Sequence, residues 1–139
     1  MARRATQNDG PTVTFTASGT VTQWALVKIV AASATDPVQV IETTGVAGED
    51  GTVIGIAQET VATGLPVAVR MLNAVATAKC IADLADIAVG DVLYTAANGE
   101  VTDAITSGMV VGIALQTSAA ALDLIEVAVA PSFEAAGVT

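Results

Sequence analysis

Apolar and polar residues alternate along most of the chain with a period of two. In TVTFT, residues 12–16, Val13 and Phe15 fall on one face and the threonines fall on the other. This alternation is typical of a half-buried β-strand. Comparable runs predict about ten short strands in all, separated by turn signals roughly 8 to 12 residues apart. The further runs are WALVKIVAA, VQVIE, TVIGIAQET, PVAVRML, AVATAKCIAD, the two arms of DVLYTAANGEVTD, MVVGIALQT and LDLIEVAVA.

Turn residues separate these runs. Asn98-Gly99 lies between two strand-like runs, and both residues tolerate the positive φ of a tight turn, which predicts a hairpin. Asp36-Pro37 predicts a turn, and GVAGEDG, residues 45–51, predicts a loop. In DLADIAVGD, residues 83–91, apolar residues three to four apart predict a short helical turn. Pro131 is expected to end the last strand.

The order of these elements predicts the fold class. Since no amphipathic segment is long enough for a helical crossover, we expect an all-β fold, a compact small β-barrel or β-sandwich. The length suits a single β domain, placed at residues 13–131. Residues 1–12 are polar without periodicity, which predicts an extended N-terminal arm, and residues 132–139 form a C-terminal tail.

Two segments of the chain have nearly the same sequence. VIGIAQET at 53–60 and VVGIALQT at 110–117 place Gly55 and Gly112 in register, 57 positions apart. Each copy is followed by a small-residue loop and an alternating strand, so the chain contains a weak internal repeat. A glycine inside a strand marks a bulge, a bend or a close backbone approach, and we expect equivalent bends at both glycines. A phosphate-binding loop would need several glycines between a strand and a helix.

Composition and charge narrow the function. Apolar residues supply 53% of the chain and charged residues 14%, with a net charge of −9. This charge excludes a nucleic acid as a direct partner. A membrane partner is not expected either, because the chain lacks the roughly 20-residue apolar run of a spanning helix. The N-terminus has no apolar core of a signal peptide, which predicts a soluble protein made in a cytoplasm.

The candidate chemistry argues against an enzyme. The chain has no histidine, so triads of the Ser-His-Asp and Cys-His kinds are excluded. Cys80 is interpreted as a small, semi-buried apolar residue, and Asp83, Asp86 and Asp91 as solvated loop charges, since they lack the spacing of a calcium loop. We therefore expect no metal and no cofactor. A carboxylate pair acting on a glycoside stays open, although the poverty in aromatics counts against it.

Three segments carry a family resemblance. VIGIAQETVATGLPVAVRM, IAVGDVLYTAANGEVT and VVGIALQTSAAALDLIEVAVAP together resemble the capsid cement, or head decoration, proteins of tailed bacteriophages. The shared motifs are Gly-Ile-Ala after a β-branched pair, Val-Gly-Asp before a Leu-Tyr strand, and the Asn-Gly hairpin. The resemblance covers roughly residues 12–131.

The resemblance implies a structural virion protein without catalytic activity. Such a protein is made in the host cytoplasm, assembles as a homotrimer and binds the outer surface of the expanded capsid, where it bridges major capsid subunits against the pressure of packaged DNA. The low charge fraction agrees with a surface that is partly interface. The alternative is a non-catalytic β adhesion or small-ligand-binding module.

Two regions are candidate contacts under this interpretation. The arm is expected to lie on the capsid, with its arginines pairing with carboxylates of the shell, although a solvated tail is the alternative. Trp24 is a candidate anchor of a subunit interface, with core packing as its alternative. The arm residues concerned are Arg3, Arg4, Thr6, Gln7 and Asn8.

Overall fold

The computed structural model describes residues 12–30, 38–45, 52–74, 76–105 and 108–135. Residues 1–11, the Asp36-Pro37 turn and most of the predicted loop at 45–51 lie outside this part. The described residues contain ten strands, one turn of 3-10 helix at Leu72–Ala74 and no α-helix, which confirms the all-β prediction. The strands are β1 (Thr12–Ala17), β2 (Leu26–Ile29), β3 (Gln39–Glu42), β4 (Val53–Ala57), β5 (Pro66–Met71), β6 (Thr77–Ile81), β7 (Val92–Thr95), β8 (Val101–Thr102), β9 (Met109–Ala114) and β10 (Leu124–Ala135).

The first five strands form a closed barrel in the order β1-β3-β2-β4-β5. Neighbouring strands are antiparallel except for β1 and β3, which pair in parallel at Thr16↔Gln39 and Ala17↔Val40. The alternating apolar residues point into the barrel and form a buried hydrophobic cluster that includes Phe15, Val27 and Val69. The alternation of TVTFT therefore reflects one barrel face and one outer face.

The last five strands repeat this arrangement. Their sheet has the order β6-β10-β9-β7-β8, which matches β1-β5-β4-β2-β3 strand for strand. In the first half, the parallel pair of β1 and β3 closes the barrel. Its counterpart in the second half is a single parallel bridge between Ala82, just after β6, and Val101 of β8. Ser18 N–H donates to Val40 O (2.8 Å) in the first half, and Asp83 N–H donates to Val101 O (2.9 Å) in the second. The internal repeat is thus a duplicated five-strand unit.

The repeated glycines occupy equivalent places in the two halves. Gly55 of β4 pairs with Val27 of β2, and Gly112 of β9 pairs with Leu93 of β7. In both pairs the register shifts immediately beside the glycine. A Cβ atom at either glycine would overlap a backbone carbonyl of the next strand, so both positions require a residue without a side chain.

The Asn98-Gly99 hairpin is confirmed and holds the halves together. Its two residues have φ of 59° and 71°, and β7 pairs with β8 across them. Leu26 N–H donates to Gly99 O (2.8 Å), and the buried Thr43 Oγ1 donates to Ala96 O (2.8 Å). The larger core cluster also spans both halves, since Leu26 and other residues of the first half pack in it.

Two local predictions were wrong. Residues 83–91 form no helical turn, because Asp86 has a φ of 75° and its N–H donates to Ser118 O (2.9 Å) in the distant loop between β9 and β10. The Ser118 hydroxyl also accepts from Ile87 N–H (3.1 Å). These long-range hydrogen bonds outweigh the local spacing of the apolar residues.

Pro131 does not end the last strand, since β10 continues to Ala135. Pairing with β6 stops at Ala128, so Pro131 lies where β10 pairs with β9 alone, within the register shift between Val129 and Ser132. Proline is tolerated at such an irregular, one-sided position.

No helix in the described ranges is long and apolar enough to cross a membrane.

Candidate binding groove between the two halves

A groove of about 510 Å³ lies where the two halves of the fold meet. We call it the junction groove. Its lining includes Thr22 and Glu42 of the first half and Ile81, Glu100, Leu122 and Leu124 of the second. Three separate connections of the chain therefore combine with strand ends to form one surface.

One wall of the groove is apolar and exposed. Leu122 is 64% exposed and Leu124 is 46% exposed, so a large part of each apolar side chain faces solvent. Leu124 pairs with Ile81 across β10 and β6, so the apolar wall continues onto the neighbouring strand. Contiguous exposed apolar side chains of this kind are typical of interaction sites.

The backbone of Leu122 is in an unfavourable conformation. Its φ is 70°, and its N–H donates to Ala82 O (2.7 Å). The equivalent residue of the first half is Gly64, with a φ of 85° and an N–H that donates to Ala17 O (2.8 Å). A residue with a side chain costs about 1 kcal/mol in this left-handed region, whereas glycine adopts it freely. The conformation of the turn therefore does not explain why position 122 is a leucine and not a glycine.

Trp24 shows the same contrast between the halves. Its φ is 73° and its N–H donates to Ala57 O (2.8 Å). The equivalent residue is Gly90, with a φ of 95° and an N–H that donates to Ala114 O (2.8 Å). Because Trp24 adopts this conformation, β2 begins at Leu26 and not at Trp24.

Trp24 is next in sequence to the lining of the junction groove, although it is not itself a lining residue. It follows the lining residues at 22 and 23, and its half-buried ring packs against the larger core cluster. Lys79 Nζ lies 5.7 Å from the ring centroid, a cation–π distance. Lys79 and Ile81 are alternate residues of β6, so Trp24 adjoins the apolar wall. The residue thus contacts the core and also contributes to the surface.

The opposite side of the groove is acidic. Glu42 Oε2 accepts from Thr22 N–H (2.8 Å). Burial raises the pKa of Glu100, and the charges of Asp83 and Glu42 raise it further. Burial likewise raises the pKa of Asp83, with a hydrogen bond from Thr102 opposing and Asp103 reinforcing the rise. No basic side chain is among the described residues that line the groove.

Replacing Glu100 by glutamine is expected to stabilise the fold slightly at neutral pH. Because the pKa of Glu100 is raised on folding, its ionised form disfavours the native state. The gain should be below about 1 kcal/mol and should disappear as the pH falls through the pKa values of the folded and unfolded protein. Urea denaturation of both proteins between pH 4 and pH 8 measures it, with Glu59→Gln as an exposed control. A destabilised variant at pH 7 would contradict the assigned repulsion.

The structure places the sequence-predicted site residues in different regions. Arg3, Arg4, Thr6, Gln7 and Asn8 lie outside the described residues. Gly55 and Gly112 lie inside strands of the two halves, away from the groove lining, and only Trp24 borders the groove.

Sequence reasoning missed the groove residues themselves, Glu42, Glu100, Leu122 and Leu124. The signal that could have found Leu122 is its alignment with Gly64, but the second loop is one residue longer, at a spacing of 58 instead of 57. A fixed spacing therefore pairs Gly64 with the wrong residue and hides the contrast.

The remaining reactive groups are explained by local structure. Burial raises the pKa of the Cys80 thiol to about 12, with a further contribution from Glu126, so the thiol stays protonated and inert. Asp91 Oδ2 accepts from Ala88 N–H (2.8 Å) within its own turn. Within the described ranges, no three or more His, Cys, Asp or Glu side chains are grouped so that they could hold a metal ion.

Comparison with known proteins identifies the class. The sequence matches the family model of phage cement proteins over residues 6–130. Since this match covers most of the chain, the chain belongs to the phage cement protein family, which confirms the resemblance inferred from its motifs. Membership makes it a phage structural protein associated with the capsid.

A solved structure with the same fold supports the architecture. The chain is similar to the N-terminal base of head fibre gp8.5 of bacteriophage phi29, with a TM-score of 0.65 and 23% identity. The match covers 89% of this chain and 95% of the phage phi29 chain. At this identity the similarity establishes the shared fold. No curated relative matches the chain.

Proposed function

We propose that this protein binds the outer surface of the expanded phage capsid and stabilises it by bridging major capsid subunits. The observation that carries the proposal is the cement-family match over residues 6–130. The protein would be made in the host cytoplasm and would join the shell without catalysing a reaction or contacting nucleic acid or membrane.

The architecture suits a protein that transmits mechanical load. In the first half every strand is paired on both sides, and in the second half β6 and β8 are joined at Ala82↔Val101. The closed first half leaves little free strand edge for uncontrolled association, and the single bridge covers part of the edge of the second half. Contacts with the shell would therefore use side chains and loops, and pulling forces would act across continuous hydrogen-bonded ladders.

We also propose a homotrimer. The second half has an exposed apolar strip, in which Val92 and Ile113 pair across β7 and β9 and Leu115 follows on the same strand face. A monomer would leave these apolar side chains in contact with water, and closed cyclic symmetry is the usual way to bury such a surface. Trp24 remains a second candidate contact between subunits.

The capsid role is tested by co-sedimentation of the purified protein with expanded and unexpanded shells that lack it. Saturable binding to the expanded form alone is the expected result. Absence of binding to both forms would contradict the proposal and favour the ligand-binding alternative. Analytical ultracentrifugation of the free protein measures the oligomer independently, with three times the chain mass expected.

Deleting residues 1–11 is expected to weaken binding to expanded shells at least about tenfold. The basic residues of the arm are Arg3 and Arg4, and charge-assisted hydrogen bonds contribute about 1.5–3 kcal/mol each. The deletion stops before Thr12, which pairs with Arg70 in the barrel, so the oligomer should stay intact. A double Arg3→Gln, Arg4→Gln variant separates charge from length. Equal binding by the deleted and full chains would exclude a role for the arm.

A further inference from the structure

The junction groove combines three features that are each unfavourable for the isolated protein. Leu122 and Trp24 hold bulky side chains at left-handed positions where the other half has glycine. Glu100 is partly buried among other carboxylates. The wall of Leu122 and Leu124 keeps a large apolar area in contact with solvent. Unfavourable local choices that gather at one surface are typical of a binding site.

The glycine counterpart of Leu122 shows that the fold does not require a side chain at this turn. A Cβ atom at Gly64 would meet no atom within 4 Å, so a side chain at this turn points into open space. Leu122 is correspondingly exposed, and its contacts are available to a partner. The barrel would keep its hydrogen bonds with glycine at position 122, as it does at position 64.

The charge of the groove defines the partner. Glu42 and Glu100 face it, and the described lining residues include no lysine or arginine. The body of a second copy is a poor match, because residues 13–139 carry a net charge of −10. Lys79, on the adjoining strand face, is placed over the Trp24 ring. A partner segment that carries both a positive charge and an apolar side chain complements the acidic wall and the apolar wall of the groove.

We propose that the junction groove binds a segment of a capsid subunit in which a basic residue flanks an apolar one. The apolar side chain packs on Leu122 and Leu124, and the basic side chain pairs with Glu42 and Glu100. This inference rests on the proposed capsid role and names the chemistry of the contact. It predicts that affinity for the shell and stability of the free protein respond in opposite directions to the same substitutions.

The first test compares Leu122→Gly with its reciprocal control, Gly64→Leu. The Leu122→Gly protein should have a melting temperature equal to or above that of the wild type, yet bind expanded shells at least tenfold more weakly. The Gly64→Leu protein should melt at a lower temperature and bind the shell as the wild type does, because its leucine lies outside the groove. Wild-type affinity of the Leu122→Gly protein would overturn the proposal.

The second test neutralises the acidic wall with the double variant Glu42→Gln, Glu100→Gln. Binding to expanded shells should weaken at least tenfold and become less dependent on salt than binding of the wild type, with the contribution of the arm remaining. Repeating both substitution sets in protein without residues 1–11 tests the chain's own arm as guest. If the substitutions lose their effect in the shortened chain, the arm occupies the groove and the proposal is wrong.

A third test works without shells and separates this inference from the capsid role. Trp24 is the chain's single tryptophan and borders the groove, so its fluorescence reports on occupancy. A capped Lys-Leu-Lys peptide should change this fluorescence in a saturable way, whereas a capped Glu-Leu-Glu peptide should not, and the double glutamine variant should abolish the response. A response without shell binding would refute the capsid role alone, whereas absence of a response would refute the groove chemistry.

Discussion

Replacing Gly112 by valine is expected to destabilise the protein by more than about 3 kcal/mol, a large share of the roughly 5–15 kcal/mol that stabilises a typical domain. A Cβ atom at this position would overlap the carbonyl oxygen of Ala128 and lie 3.1 Å from Ala130 N. These are backbone atoms of β10 in the middle of the sheet, so they cannot rotate away as a side chain would. The strands would have to separate, and their hydrogen bonds would be lost.

Thermal denaturation followed by circular dichroism measures this effect, together with the yield of soluble protein. Gly112→Ala should also be strongly destabilising, because the overlap begins at Cβ. The matched control is Gly90→Ala, where a Cβ atom meets open space and only the φ of 95° opposes the substitution, at a cost of about 1 kcal/mol. A Gly112→Val protein with the melting temperature of the wild type would show that β9 and β10 do not pack as described.

Replacing Gly99 by alanine is expected to cost about 2–4 kcal/mol and to loosen the contact between the halves. The added Cβ would lie 2.5 Å from the Ala25 Cβ and 2.9 Å from Leu26 O, in a residue whose φ is 71°. Strain in the turn and steric overlap therefore act together. The hydrogen bond from Leu26 N–H to Gly99 O would be displaced with them.

Hydrogen exchange separates this effect from general unfolding. In the Gly99→Ala protein, protection should fall first at Leu26 and Thr43, whose amides lie at the junction, and less at the interior strands of each half. Asn98→Gly is the control, since glycine accepts the φ of 59° and keeps the hairpin. Unchanged stability of Gly99→Ala would mean that the hairpin does not dock against β2.

These two predictions also bear on the junction groove, because the hairpin carries Glu100 into it. A loosened hairpin should weaken any ligand of the groove even though Gly99 itself does not line it. The groove substitutions at 122 and 100 are expected to leave the fold intact or more stable. The two sets of variants therefore separate loss of architecture from loss of binding.

The sequence by itself determined the strands and the family. Period-two alternation is a local property of the chain, and it correctly predicted β1 from TVTFT and the hairpin from Asn98-Gly99. The repeated segment with Gly55 and Gly112 was visible for the same reason, since both copies are continuous in sequence. The motifs that follow these glycines were sufficient to place the chain among the phage cement proteins.

Only the tertiary structure decided which residues distant in sequence are neighbours in the fold. The parallel closures at Thr16↔Gln39 and Ala82↔Val101 join residues about 20 positions apart, and no local pattern specifies such pairs. Hydrogen bonds donated to Ser118 by Asp86 N–H and Ile87 N–H replaced the predicted helical turn for the same reason. The left-handed conformations of Trp24 and Leu122 follow from the duplicated turns, which differences in loop length between the two halves conceal in the sequence. Glu42, Glu100 and Leu122 come from three distant segments, and they share a groove because packing of the two halves brings those segments together.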